Sequence, residues 1–243
     1  MSTVVRLPGA VAALVTGPDA VPAAIASLGV PAPRPVLAMV GGAGGMTDDV
    51  TSVLSAVFTD LVAPAIRTHQ AVAVDGGTDA GVMRLLGESR AAGFPFPLIG
   101  VAALGTVTYP GHAGTNPEAA PLDPHHSHFV LAPGDTWGDE VPYLAAVVSY
   151  LAADRPSVTV LANGGEIALT DAEHSLSQRR PVLILAGTGR AADKLAAAAA
   201  DPAGCRDERL VAISTSPFVR VVDVNNRTEV AEGLDELLST HPG

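Results

Sequence analysis

The chain has 243 residues, of which 48% are hydrophobic and 4% aromatic, so its core is built mainly from Ala, Val and Leu and extended disorder is excluded. A formal net charge of −11 opposes binding to phosphate backbones, and nucleic acid is not expected as a partner. Cys205 is the single cysteine, which excludes an intrachain disulfide. With no leader-like N-terminus and no apolar run near the roughly 20 residues of a membrane helix, the sequence predicts a cytoplasmic protein without a membrane partner.

The first 34 residues predict one extra βα unit, with a strand over 11–15 and a helix over 23–28 that Pro22 opens. From Pro35 onward, short β-branched runs alternate with helical patterns, which is typical of repeated βα units. The predicted strands are 36–40, 71–74, 98–104, 128–131, 158–161, 182–185, 210–213 and 219–224. The predicted helices are 47–66, 80–91, 139–153, 166–178, 190–200 and 229–238.

The predicted strands are apolar on both faces, which indicates a parallel sheet covered by helices on both sides. The sequence therefore predicts an α/β, Rossmann-like three-layer fold with a mostly parallel central sheet. No stretch resembles a linker, so residues 1–243 are expected to form a single domain. The segment 105–126, rich in Pro, Gly, His and Asn, is predicted to be a long functional loop.

Glycine-rich turns follow three of the predicted strands and precede helices. In a parallel sheet such turns lie at the carboxyl ends of the strands, where ligands bind and helix N-termini attract anions. An alternative is that the glycines only permit tight turns. The turns fit neither the dinucleotide-binding nor the Walker spacing, and no cofactor is predicted. The ligand-binding candidates in these turns are Gly41, Gly42, Ala43, Gly76, Gly77, Thr78, Gly164 and Gly165.

The histidines allow a metal hypothesis. A strand beginning near His126 places His126 and His128 on one face, and His112 of the long loop is a possible third ligand. Only two ligands converge locally, so no metal site is predicted.

Four segments in chain order carry a resemblance to a known family. These are VGGA at 40–43, DGGTDAGVM at 75–83, LDPHHSHF at 122–129 and GTGRAAD at 187–193. Together they resemble the successive blocks of the SLOG superfamily, and specifically its LSDAT branch, which includes the cytosolic N-terminal region of TRPM-type channels. In the last block Thr188 stands where the channels have Ser.

The resemblance implies a Rossmann-like domain that binds or senses a nucleotide-derived ligand, with ADP-ribose-like molecules as the leading class. Arg190 is then the expected phosphate partner, with Gly187, Thr188 and Gly189 beside it, and a guanidinium can bind phosphate bidentately. Alternatives are a surface arginine or a pair with Asp193. Trp137 is a candidate for stacking on a base or for simple packing, and Leu144 stands where the channels often have a ligand-facing Arg.

The LOG-type phosphoribohydrolases, which cleave the base from a nucleoside 5′-monophosphate, are more distant relatives. Their Pro-Gly-Gly-x-Gly-Thr-x-x-Glu signature is similar to residues 163–171, but the second Gly-Thr pair is absent and Asp171 replaces the final Glu. N-glycosidic cleavage needs a carboxylate near C1′, and Glu166, Asp171 and Glu173 are candidates. Helix capping and solvent-facing roles are the alternative for these acids.

A ligand sensor must pass its signal on. We expect the effector to be a separate partner, or the chain to form a homo-oligomer with an Ala-rich interface.

Overall fold

The computed structural model describes residues 3–93 and 95–239. Within these residues, nine strands form the central sheet, and two further short strands form a second sheet. In chain order the strands are β1 Thr3–Leu7, β2 Ala10–Leu14, β3 Val36–Gly41, β4 Val72–Asp75, β5 Leu98–Ala103, β6 Val107–Thr108, β7 Ala120–Pro121, β8 His128–Ala132, β9 Ser157–Ala162, β10 Val182–Ala186 and β11 Val219–Asp223.

Helices connect these strands on both faces of the sheet. They are α1 Val21–Leu28, α2 Asp48–Val57, α3 Ala63–Thr68, α4 Gly81–Ala91, α5 Val141–Ala152, α6 Glu166–Ser177, α7 Arg190–Ala200, α8 Glu208–Ser214 and α9 Arg227–Ser239. The sheet order is β1-β2-β8-β5-β4-β3-β9-β10-β11, and every pair except β1–β2 is parallel. The predicted α/β, Rossmann-like three-layer fold is confirmed.

The alternation of side chains along β3 shows how the sequence fills both faces. Leu37 and Met39 pack with α2, α3, α4 and α9 on one face. Val36 and Ala38 pack with α1 and α5 on the other face, where Val40 contacts the cluster formed by α6, α7 and α8. All five residues are at most 3% exposed. Successive strand residues point to opposite faces, so an unbroken apolar run serves two helical layers.

The prediction for residues 1–34 was wrong in one respect. The segment starts with an antiparallel hairpin of β1 and β2, with Thr3 opposite Leu14 and Leu7 opposite Ala10. The strand β2 then joins the parallel sheet beside β8, and Pro22 lies in the first turn of α1 as predicted. The strand β1 lies at the edge of the sheet with Val4 45% exposed, so it lacks the buried apolar run that marks the inner strands.

The predicted strand at 210–213 was also wrong, because these residues belong to α8. The Asp207 carboxylate accepts hydrogen bonds from the backbone amides of Arg209 and Leu210, at 3.0 and 3.2 Å, which caps the helix. Leu210 and Ile213 are three residues apart and buried against α7. Three-residue spacing places them on one side of a helix, and this outweighed the strand preference of the β-branched residues.

The helical run from Asp48 to Thr68 is the one segment within the described residues that is long and apolar enough to cross a membrane, by length and composition only. The sequence had predicted no such run. Its side chains Leu54, Phe58 and Ile66 are fully buried against the central sheet. The core helix of a soluble protein passes the same test, and the burial of these three residues fits that explanation.

Candidate functional site

The carboxyl ends of β3 and β9 border a cavity of about 500 Å³. These two strands are neighbours in the sheet, but the chain continues from β3 to β4 on one side and from β9 to β10 on the other. The strand order therefore reverses between β3 and β9. Ligands of doubly wound sheets bind in the crevice that such a reversal opens, so the topology independently selects this cavity as the candidate site.

Many of the residues singled out in the sequence line this cavity. Its wall includes Gly41, Gly42, Ala43, Gly76, Thr78, Trp137, Gly165, Glu166, Asp171 and Arg190. They come from the ends of β3 and β4 and the turns after them, the loop before α5, the first two turns of α6 and the first turn of α7. The sheet thus brings together residues up to 149 positions apart, from Gly41 to Arg190. Their role in binding stays a prediction.

Five other predicted residues lie outside the cavity wall. Gly77 packs against Gly100 and Phe129, and Gly164 packs against Ala168. Thr188 is fully buried, where its hydroxyl donates to the Leu185 carbonyl and accepts from the Asn163 amide, both at 2.7 Å. The other two are Gly187 and Gly189, in the turn before α7. The Thr188 hydroxyl therefore uses its hydrogen bonds to join the ends of β9 and β10.

Arg190 is exposed and lies between two loops of the cavity. Its guanidinium donates to the Gly44 carbonyl at 3.0 Å and also lies beside Gly45 and Gly165. Within the described residues, Gly44 is the only acceptor recorded for this guanidinium, so most of its five donors face solvent or the cavity. Its backbone has φ of 53°, an uncommon conformation for a residue other than glycine that is often held at functional sites.

Asp193 does not pair with Arg190, contrary to one of the alternatives. Its carboxylate accepts a hydrogen bond from the Gly187 amide at 2.6 Å. The first amides of α7 are used as well, because those of Ala191 and Ala192 donate to the carbonyls of Gly164 and Asn163. The amides at the N-terminus of α7 therefore already donate to protein acceptors, and Arg190 is the residue of this helix that reaches the cavity.

The first turn of α6 presents free donors instead. No side chain caps this helix at Gly165, and Glu166, Ile167 and Ala168 line the cavity. The first backbone amides of a helix have no partner within the helix and carry a partial positive charge. An anionic group in the cavity would meet these amides and Arg190 from neighbouring walls.

The three acids proposed as catalytic candidates have different environments. Glu166 and Glu173 both pair with Arg209 at 2.8 Å, which ties α8 to α6. Asp171 is half-buried in the cavity wall and has no ion pair among the described residues. Burial raises the pKa of Asp171, and the nearby charge of Glu140 adds to this, to about 8. Asp171 is therefore mostly protonated at neutral pH.

Glu140 is a cavity residue that the sequence analysis did not single out. It precedes α5, and its carboxylate accepts from the Gly138 amide at 2.9 Å. Burial raises its pKa above the ordinary value for glutamate. The signal in the sequence was its position between Trp137 and Leu144, which had both been singled out. The described cavity wall thus contains three carboxyl groups and one guanidinium, and of the carboxyl groups only that of Glu166 is paired, with Arg209.

A buried ionic cluster supports the loop after β4. The two ring N–H groups of His126 donate to the carboxylates of Asp75 and Asp123 at 2.7 and 2.9 Å, and all three side chains are fully buried. Burial alone would lower the pKa of His126, but the two carboxylates outweigh it and raise this pKa to about 9. The second oxygens of Asp75 and Asp123 accept no hydrogen bond from the described residues. The cluster joins the end of β4 to the segment before β8.

This arrangement corrects the prediction that His126 and His128 share a strand face. His126 precedes β8 and points into the ionic cluster, whereas the His128 ring bonds the Ser127 hydroxyl at 2.8 Å. His112 bonds the Leu104 carbonyl at 2.8 Å. Within residues 3–93 and 95–239, no three His, Cys, Asp or Glu side chains are grouped to hold a metal ion.

Comparison with known proteins gives a family match over most of the chain. The family model described as "SLOG in TRPM, prokaryote" matches residues 34–232. The chain is also 25% identical over 210 residues to "Transient receptor potential cation channel subfamily M member 2" of Rattus norvegicus, and equally to that of Mus musculus. These alignments cover 72% of this chain but 14% of each channel. The chain therefore corresponds to a small part of those relatives.

Proposed function

Because the chain belongs to the SLOG in TRPM, prokaryote family, we propose that its cavity binds a nucleotide-derived ligand of the ADP-ribose type and that binding is its function. The observation that carries this proposal is Arg190 beside the uncapped first turn of α6 at the crevice between β3 and β9. A phosphate there meets a charge-assisted donor and a helix N-terminus. We place this ligand sensor in the cytoplasm, as the sequence predicts.

The rest of the cavity suits a nucleoside. Met39, Val40, Met83 and Leu144 supply apolar surface, and Trp137 offers an aromatic face on which a base can stack. A mostly apolar wall with a few polar groups is the usual composition of a small-molecule site, and about 500 Å³ lies within the usual size range. In this proposal the phosphate end lies at Arg190 and the base lies against the apolar wall.

Replacing Arg190 tests the phosphate site. We expect Arg190→Ala to weaken binding of ADP-ribose or AMP by about 30-fold, roughly 2 kcal/mol, because a charge-assisted bidentate contact is lost. Isothermal titration calorimetry of ADP-ribose, cyclic ADP-ribose isomers, NAD and AMP provides the measurement. Arg190→Lys is expected to recover only part of the affinity, because lysine lacks the planar donor pair.

Arg155→Ala is the matched control, because Arg155 precedes β9 at the opposite edge of the sheet. Its affinity for each nucleotide is expected to equal that of the wild type. Absence of binding heat for all these nucleotides at high concentration would contradict the proposal. Equal affinities of the Arg190→Ala and wild-type proteins would also contradict the assignment of Arg190.

A second candidate function is hydrolysis of a nucleoside 5′-monophosphate by a phosphoribohydrolase of the LOG type. The observation that favours it is Asp171, protonated at neutral pH, beside Glu140 in the same cavity. Two carboxyl groups with separated roles are the arrangement that glycoside hydrolysis uses. Asp171 would donate its proton to the leaving base as the C1′–N bond breaks, and Glu140 would accept a proton from the water that attacks C1′.

Chromatography of AMP incubated with the protein tests this candidate by detecting free adenine and ribose 5-phosphate. If the reaction occurs, we expect Asp171→Asn and Glu140→Gln each to lower its rate about 100-fold or more, within the usual contribution of a general acid or base. Glu232→Gln is the control, because Glu232 is an exposed acid of α9 outside the cavity wall and the variant should retain the wild-type rate. No turnover by the wild-type protein, or equal turnover by the Asp171→Asn protein, would exclude this candidate.

A further inference from the structure

The described cavity wall contains two carboxyl groups without a paired cation, and a phosphate bound at Arg190 does not explain their presence. Asp171 and Glu140 both line the wall, whereas Arg190 is engaged with the loop after β3 and forms no ion pair with either carboxyl group in the described part of the chain. The charge of Glu140 acts on Asp171. The two carboxyl groups therefore share the wall of one cavity, and neither has an ion pair with a cation among the described residues.

A second feature of the wall is a buried polar group without a partner. Thr78 lines the wall and is 2% exposed, and its hydroxyl has no hydrogen-bond partner among the described residues. Leaving a buried polar group without a partner is unfavourable, and such a group calls for an explanation such as a water or a bound ligand. Thr78 and the two carboxyl groups come from three separate elements around the same space.

We propose that the site selects a nucleotide whose base carries a positive charge, with that base held between Trp137 and the Glu140–Asp171 pair and its phosphate at Arg190. This inference rests on the proposed function. A planar cation gains from an aromatic face and from nearby carboxylates, so an N-ribosylpyridinium such as the base of oxidised nicotinamide mononucleotide satisfies both. A neutral adenine gains only the stacking.

The choice of ligand follows from charge matching. Arg190 is the one guanidinium lining the described cavity, so one phosphate is enough to match it. A mononucleotide with a pyridinium base has one phosphate for Arg190 and one cation for the carboxyl pair. A cation beside Asp171 also stabilises its ionised form, so binding of this ligand releases a proton.

Oxidised and reduced nicotinamide mononucleotide form a matched pair of probes, because reduction removes the positive charge of the base and leaves the ribose phosphate unchanged. We expect the wild-type protein to bind the oxidised form about tenfold more tightly, equivalent to about 1.4 kcal/mol. Asp171→Asn and Glu140→Gln should each bring the ratio of the two dissociation constants toward about 3 or below. Glu232→Gln, at an exposed acid of α9 that does not line the cavity, should leave the ratio at the wild-type value.

Titration of the oxidised form in two buffers of different ionisation enthalpy supplies an independent readout. Near pH 7, the wild-type protein is expected to release a proton that the Asp171→Asn protein does not release. Equal affinity for the two forms, or a ratio unchanged in both carboxyl variants, would overturn the inference. If AMP binds in an Arg190-dependent manner and the ratio is near one, the inference fails and the proposed function stands. If neither mononucleotide, AMP nor ADP-ribose binds, both fail.

Discussion

Asp171 shows how a single residue can connect binding to the stability of the protein. Its neutral form suits the closed wall of the cavity, because burial and Glu140 both disfavour the charged form. Its pKa rises from 3.8 to about 8 on folding. A group whose pKa is raised on folding contributes stability below its unfolded pKa, and that contribution is lost as the pH rises to the folded pKa. The loss therefore develops between about pH 4 and pH 8.

The Asp171→Asn variant removes this dependence. We expect it to be more stable than the wild-type protein at pH 8, by on the order of 2 kcal/mol after allowing for contact with water in the cavity. At pH 4 the two proteins should be equally stable. Urea denaturation across this range measures the difference, with exposed Asp19→Asn as the control. A difference independent of pH would contradict the assignment.

The elements that build the site depend on how closely β3 and β9 approach. A Cβ atom on Gly41 would lie 2.1 Å from the Ala162 carbonyl oxygen of β9, and that oxygen belongs to the backbone and has little freedom to move. Gly44, three residues later in the same loop, has no atom within 4 Å of its Cβ position. The same loop therefore contains one glycine that the sheet requires and one that it does not.

A pair of alanine substitutions separates the two glycines. We expect Gly41→Ala to lower the free energy of unfolding by about 3 kcal/mol, because the new methyl group forces the two central strands apart. Gly44→Ala should change it by about 0.5 kcal/mol or less. Thermal denaturation of both variants in the absence of nucleotide provides the comparison. Similar melting temperatures for the two variants would show that Gly41 does not hold this strand pair together.

For the whole molecule, the fold was predictable from its inner strands and much of the site from its glycine turns. Strands such as 36–40 and 182–185 are apolar on both faces, so their burial could be predicted from the sequence. The strand β1 could not be predicted from the sequence, because an edge strand has a solvated face and lacks a continuous apolar run. The Glu140–Asp171 pair could not be predicted either, because it depends on how α5 and α6 pack and not on spacing along the chain. The predicted homo-oligomer stays a prediction.

The position of the cavity between β3 and β9 has a thermodynamic consequence. Residues before β9 and residues after it both line the cavity, so a bound nucleotide contacts two stretches of chain that the folded sheet brings together. Unfolding therefore destroys the site altogether, and a ligand stabilises the native state by RT ln(1 + [L]/Kd). At a concentration 100 times Kd this amounts to about 2.7 kcal/mol, so the melting temperature itself ranks candidate nucleotides by affinity.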